Sequence, residues 1–377
     1  MKTRKNTWIA AVLLFLVGFL AVPILFRMIG QQTKTVPDVV FETTRNEEIP
    51  APASDSEDET AEASENEIRE TSEKPVQESP RPLREICLSD RDLDPLLFER
   101  AEEQGTVSIA EYLTRDYFCD EYYDIRKQMA VYLPYGYDEK SQYDVLVLLH
   151  CGWADYRFWL VNERDYCTPE GEIKQVYVKD LLDNMIQQGY CRPLIVLAPC
   201  CYLYDNTPNA NGNRFEYEQM KWEVGEDLLR FTAENYATWA EDGSRESLFK
   251  AREHFGFFGA SFGAYVNYIS IIGPNYDLAA NYAFTGGGAV ERSYLLNTWN
   301  EKGTKDLPMK CLYIAEGEFD DRAAPEASYY TLLAGGDPFS EDNLHYTMVA
   351  GSGHVDHTYL VALYNTLQLF FTHDSGS

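Results

Sequence analysis

Histidine is scarce in this chain, six residues in 377, so each can be weighed separately as a base or a ligand. Basic side chains are scarce too: 32 Lys and Arg stand against 61 Asp and Glu, a formal charge of −29. Such a surface repels phosphate backbones and anionic lipid head groups, which argues against a nucleic-acid partner. The eight cysteines (Cys87, Cys119, Cys151, Cys167, Cys191, Cys200, Cys201, Cys311) include no C-x-x-C pair and no zinc-ribbon spacing, so no metal site is expected. Adjacent Cys200 and Cys201 suit neither an ordinary disulfide nor a metal. Most of the eight read as small buried apolar residues, with Cys87–Cys119 the candidate bridge if the domain is extracytoplasmic.

The N-terminus supplies one long apolar run, Trp8 to Phe26, behind Lys2, Arg4 and Lys5. Its nineteen residues, at about 1.5 Å each, nearly span a hydrocarbon core of roughly 30 Å. Residues 1–30 therefore read as an uncleaved signal anchor, with a removed signal peptide as the alternative. The basic flank should stay in the cytoplasm, giving a single-pass protein of the cell membrane with everything after Arg27 outside. From Asp38 to Glu85 the chain holds 15 acidic and 5 basic residues and almost no large apolar ones after Phe41. Residues 31–84 are expected to be a disordered acidic linker, because such a segment buries too little surface to offset its chain entropy.

Residues 85–377 form the expected folded domain. Lys127–Leu133 alternates like a half-buried strand. Val145–Leu149, Leu194–Ala198, His254–Phe258 and Cys311–Ala315 are apolar runs suited to central strands, and a last strand lies near Tyr346–Val349. Helical spacing covers Val178–Gln187, Glu216–Tyr236, Phe262–Ile272 and Val355–Phe371. This alternation predicts an α/β fold: one mainly parallel central sheet with helices on both faces.

Gly259-Ala260-Ser261-Phe262-Gly263 is a G-x-S-x-G motif between a predicted strand and a predicted apolar helix. That is the setting of a nucleophile elbow, in which the helix start aims N–H groups at developing negative charge. The competing reading is a Gly-rich turn with a helix-capping Ser. A serine nucleophile needs a base, and the base an orienting carboxylate. Gly317-Glu318-Phe319-Asp320-Asp321-Arg322 follows a strand, and Asp320 is chosen as the acid because Asp321 can pair with Arg322. Gly351-Ser352-Gly353-His354 precedes the last helix and makes His354 the base; His150, His254, His345 and His357 read as structural. An oxyanion needs two N–H donors. Phe262 supplies one. The other should come from His150-Cys151-Gly152-Trp153, where Cys151, Gly152 and Trp153 compete and Gly152 is chosen. Trp153, Phe158, Trp159, Tyr202 and Trp222 are candidates to stack on a sugar or aromatic acyl group, with Trp153, Trp159 and Trp222 foremost; ordinary core and rim aromatics is the competing reading.

With these residues in place, the chain resembles the esterase branch of the α/β-hydrolases that holds the feruloyl and acetylxylan esterases of carbohydrate esterase family 1. The likeness covers about residues 115–373, through Lys127-Gln128-Met129-Ala130-Val131-Tyr132-Leu133-Pro134, the Leu149-His150 loop, the elbow, Gly317–Asp320 and Gly353-His354. It departs at Cys151, which stands where the family usually has Gly, and at the elbow, where Ala260 and Phe262 flank the Ser. The resemblance implies a serine esterase acting on acyl groups of plant cell-wall polysaccharide, with no cofactor. Alternatives are an ester of a siderophore, lipid or peptidoglycan, or an inactive tethered carbohydrate-binding module.

Overall fold

The computed structural model describes residues 82–118, 124–203, 216–321 and 325–372, all within the second of the chain's two units, Pro75–Ser377. The anchor and nearly all of the linker, Cys119 and Arg322 lie outside the described residues. Among the described residues no helix is long and apolar enough to cross a membrane.

The described strands are β1 (Thr106–Arg115), β2 (Asp124–Leu133), β3 (Asp144–Leu149), β4 (Arg164–Cys167), β5 (Ile173–Val176), β6 (Leu194–Pro199), β7 (Phe255–Ala260), β8 (Asn281–Thr285), β9 (Cys311–Gly317) and β10 (Leu344–Val349). Eight of them form one sheet in the order β1-β2-β6-β3-β7-β8-β9-β10, while β4 and β5 make a small hairpin. β2 runs antiparallel to both its neighbours. From β6 to β10 every pairing is parallel.

The apolar runs become central strands because both sheet faces are covered. β3, β6 and β7 are buried at every residue. Their side chains alternate between two cores: Val145, Val147 and Leu149 enter one, and Leu146 and Leu148 the other, as a period of two requires. The first core packs against Met220–Leu229, the elbow helix and Trp299. The second packs against the helix Val178–Gln187 and the C-terminal helix Asp356–Leu369. That last helix is buried from His357 to Leu369. Its amides bind the entering chain: Asn365 Oδ1 and Gln368 Oε1 accept from the Ser89 and Cys87 N–H groups at 2.8 and 2.9 Å.

Two expected helices depart from ideal α geometry. Glu216–Gln219 is a 3₁₀ turn, and Val224–Leu228 is π between α stretches Met220–Glu223 and Leu229–Asn235. The helix after Ser261 is α over Phe262–Val266 and π over Asn267–Ile272.

Parallel pairing brings the carboxyl ends of the strands to one edge. Leu149 lies opposite Gly259, Ala260 opposite Thr285, and Gly317 opposite Val349. The loops after β3, β7, β8, β9 and β10 thus converge, which is where open α/β sheets place their sites.

Candidate active site

Ser261 follows β7 directly and sits at φ 55°, ψ −114°, a conformation that costs energy for a residue with a β-carbon. Contact explains the motif's glycines. A β-carbon on Gly259 would lie 2.3 Å from the Gly263 carbonyl oxygen, and one on Gly263 would lie 2.3 Å from that of Leu149. The turn is thus pressed against its own helix and the end of β3, and the Ser261 N–H is held by Thr285 O at 2.8 Å. The Ser261 side chain makes no capping bond to the helix. Its Oγ lies 2.8 Å from His354 Nε2 instead.

His354 Nδ1 lies 2.8 Å from Asp320 Oδ2, and the Asp320 side chain is 0% exposed. An ionised carboxylate only accepts hydrogen bonds, so the proton of a neutral imidazole sits on Nδ1 and Nε2 accepts from the Ser261 hydroxyl. The two loops carrying this pair are laced together. Glu318 and Phe319 N–H donate to Val349 O and Ser352 O at 3.0 and 2.8 Å, and Glu318 Oε2 accepts from Gly351 N–H at 2.8 Å. Asp321 is exposed; Asp320 turns inward, its N–H on Gly317 O at 3.0 Å.

Gly286, after β8, was not anticipated. At φ +61° it passes so close to the pair that a β-carbon would lie 3.3 Å from Asp320 Oδ2 and 3.0 Å from His354 Nδ1. The run Gly286-Gly287-Gly288 was the signal for it, hidden because β8 itself went unread.

The loop after β3 is braced from the segment after β6. His150, buried, accepts the Cys201 N–H on Nε2 at 2.9 Å, so its proton sits on Nδ1, 2.8 Å from Cys151 O. Burial pushes its pKa down to about 4, in keeping with a neutral, structural ring. Trp153, at φ 65°, gives its N–H to the Tyr202 hydroxyl at 3.0 Å. Of the three candidate donors, Trp153 is therefore engaged elsewhere. Gly152 is the one beside the elbow: a β-carbon on it would lie 3.6 Å from that of Phe262. Phe262, first residue of its helix, has an N–H outside the helical ladder. Its ring stacks on Tyr202 at 5.3 Å and meets Tyr217 edge-on at 5.9 Å.

The proposed aromatic platform is mostly something else. Trp153 is 78% exposed on the rim. Trp159 is a correction: it is 1% exposed, packs edge-on to Phe258, and donates its indole N–H to Leu149 O at 3.1 Å. It anchors the end of β3 and has no face for a ligand. Phe158 is likewise buried. Trp222, 40% exposed, stacks on Tyr117 at 5.8 Å and meets Phe118 at 5.4 Å, both beyond the end of edge strand β1. The aromatics that do border the elbow are Tyr202, Tyr217 and Tyr359, the last edge-on to His354 at 5.6 Å.

His254 lies 2.7 Å from Asp144 and stacks on Trp239; His357 stacks on Tyr166. Cys191, Cys200, Cys201 and Cys311 are buried free thiols. Among the described residues no cluster of three or more His, Cys, Asp or Glu is placed to hold a metal ion.

No family model matches the chain. Over 137 residues, 36% of its length, it is 29% identical to endo-1,4-beta-xylanase Y of Acetivibrio thermocellus, and the match spans 11% of that protein. A mutant of the feruloyl esterase module from Clostridium thermocellum, complexed with sinapinate, superposes at TM-score 0.60 and 19% identity, over 78% of this chain and 97% of that one. A CE1 ferulic acid esterase from the anaerobic fungus Anaeromyces mucronatus does so at 0.57 and 19%, over 76% and 98%. The chain shares their fold, an α/β-hydrolase-like architecture.

Proposed function

We propose that this chain is a serine esterase that removes feruloyl or acetyl groups from plant cell-wall polysaccharide. Ser261 would be its nucleophile, His354 its base, and Asp320 the carboxylate that orients the base. The observation that carries this reading is the unbroken chain from Ser261 Oγ through His354 to Asp320, 2.8 Å at each step, raised on a strained elbow.

In this mechanism Oγ attacks the ester carbonyl carbon as its proton passes to His354 Nε2. The carbonyl π pair moves onto oxygen, facing the N–H groups of Phe262 and Gly152. Collapse breaks the bond to the alcohol oxygen, which takes the proton from His354. Water then gives a proton to His354 and attacks the acyl-enzyme, and Ser261 leaves with that proton. Asp320 keeps the imidazole in the productive tautomer throughout.

The choice of ester rests on the company the fold keeps: feruloyl esterase structures, one of them with sinapinate, and a stretch of a xylanase. Trp153, exposed on the rim of the oxyanion loop, is the side chain suited to stack on a phenolic ring or a sugar. The run Trp8–Phe26 would hold the enzyme at the membrane with its domain outside, on the linker of residues 31–84. The test is hydrolysis of methyl ferulate and p-nitrophenyl acetate by the full chain beside Ser261→Ala. Activity confined to the unaltered chain supports the reading, and equal rates reject it.

A further inference from the structure

Two peptide planes meet at Gly152, and both are fixed from one dipeptide, Cys201-Tyr202, just after β6. The Cys201 N–H donates to His150 Nε2 at 2.9 Å, so the imidazole proton sits on Nδ1 and is given to Cys151 O at 2.8 Å. A trans peptide sets its C=O and N–H on opposite sides. With Cys151 O turned to His150, the Gly152 N–H of the same plane points away from that ring. The Tyr202 hydroxyl accepts the next N–H, that of Trp153, at 3.0 Å. That bond turns the Gly152 C=O the other way.

The local sequence does not favour this turn unaided. Gly152 has no β-carbon to restrict its dihedrals. Trp153 stands at φ 65°, a left-handed backbone uncommon for a residue with a side chain. The Tyr202 hydroxyl supplies the partner that holds it there. The same side chain also reaches the elbow. Its ring lies flat on that of Phe262, 5.3 Å away at 16°, and 5.2 Å from that of His150. Burial first pushes the Tyr202 phenol up to about 12. It therefore accepts the Trp153 N–H as a neutral hydroxyl and brings no negative charge to the oxyanion loop.

We infer that Tyr202 is a positioning residue for the oxyanion. It holds the Gly152 N–H through its hydroxyl on Trp153, and the Phe262 N–H through its ring on Phe262, so that both face one ester oxygen. This role deepens the esterase reading above and rests on it. Tyr202 acts through those two amides and takes no proton in the reaction. The charge they meet develops only in the transition state, so the effect belongs to kcat and not to KM. Trp153 differs: its indole lies on the rim, where it acts on binding.

The experiment uses the full chain, Tyr202→Phe, Tyr202→Leu and Ser261→Ala, assayed well below their melting temperatures so that folded protein is compared. It measures kcat and KM for methyl ferulate and Ki for an aryl trifluoromethyl ketone. In the ketone adduct a bond forms from Ser261 Oγ to the carbonyl carbon and the serine proton passes to His354. The carbonyl π pair then becomes an oxyanion facing the same two N–H groups. Tyr202→Phe removes the acceptor of the Trp153 N–H and keeps the ring. It should lower kcat about 10–100-fold, with KM within about twofold, and weaken the ketone by the same factor as kcat. Tyr202→Leu also loses the stack and should lose at least as much; it decides the matter if Tyr202→Phe does not fold. A folded variant with kcat within about twofold of the unaltered chain overturns the proposal, as does a fall in kcat that leaves Ki unchanged. Either result leaves the esterase reading standing. That reading fails separately if the unaltered chain does not hydrolyse the ester, or if Ser261→Ala matches it, and the Tyr202 role then falls with it.

Discussion

Gly286 and His354 are packed so tightly that a β-carbon on the glycine would stand 2.9 Å from the imidazole Cε1. The glycine's left-handed backbone, φ +61°, leaves no room and no easy conformation for any other residue. Gly286→Ala should displace His354 from Ser261 or Asp320 and lower kcat by about 10²-fold. The strain itself should cost about 1–2 kcal/mol of stability. Comparing kcat with the melting curve checks this; an unchanged kcat would mean that the imidazole is not held where the geometry has it.

Asp320→Asn would keep the shape of the acid but offer the imidazole a donor as well as an acceptor, allowing the unproductive tautomer. The expected fall in kcat is about 10⁴-fold. Asp321→Asn, one residue along and exposed, should stay within about twofold, as surface changes usually do. Steady-state rates of the two variants on one ester decide between them.

His150 should make the fold sensitive to acid. Its pKa in the folded protein is pushed down to about 4 by burial, against about 6.5 in an unfolded chain. Between these values the unfolded chain binds the extra proton, so stability falls as pH drops from about 6.5 towards 4, by about 3 kcal/mol in all. Denaturant unfolding across that window should show this loss in the unaltered protein and a flatter profile in His150→Gln.

Two tryptophans should behave oppositely. Trp159→Phe removes the indole hydrogen bond to Leu149 O at the end of β3, a loss of about 0.5–1.5 kcal/mol. Trp153→Ala, on the exposed rim, should leave the melting temperature unchanged and raise KM for aromatic esters about tenfold, the effect of losing about 1.4 kcal/mol of stacking. Melting curves and KM values for the pair test the assignment.

What the sequence disclosed follows from how each signal arises. The runs that became β3, β6 and β7 are apolar on both faces because both faces are covered, and such runs are readable. Ser261, Asp320 and His354 were legible because each follows a strand in a glycine-rich loop, in the order this topology requires. β1 was missed because, on an edge, it shows solvent most of its residues. β8 was missed for the opposite reason. It is wholly buried yet carries Asn281 and Tyr282, whose polar atoms are satisfied by the carbonyls of Glu253, Phe255 and Ala279, so its composition conceals its place. With β8 went Gly286. Trp159 was misjudged because residue type says an aromatic is there, and only packing says which way it faces.

The central claim is that Ser261 is an activated nucleophile. The most direct measurement is mass spectrometry of the full chain after exposure to a fluorophosphonate, with peptide mapping of the adduct. The account predicts one adduct, on Ser261, absent from Ser261→Ala and strongly slowed in His354→Ala. A chain that remains unlabelled, or one labelled at another residue, would contradict it.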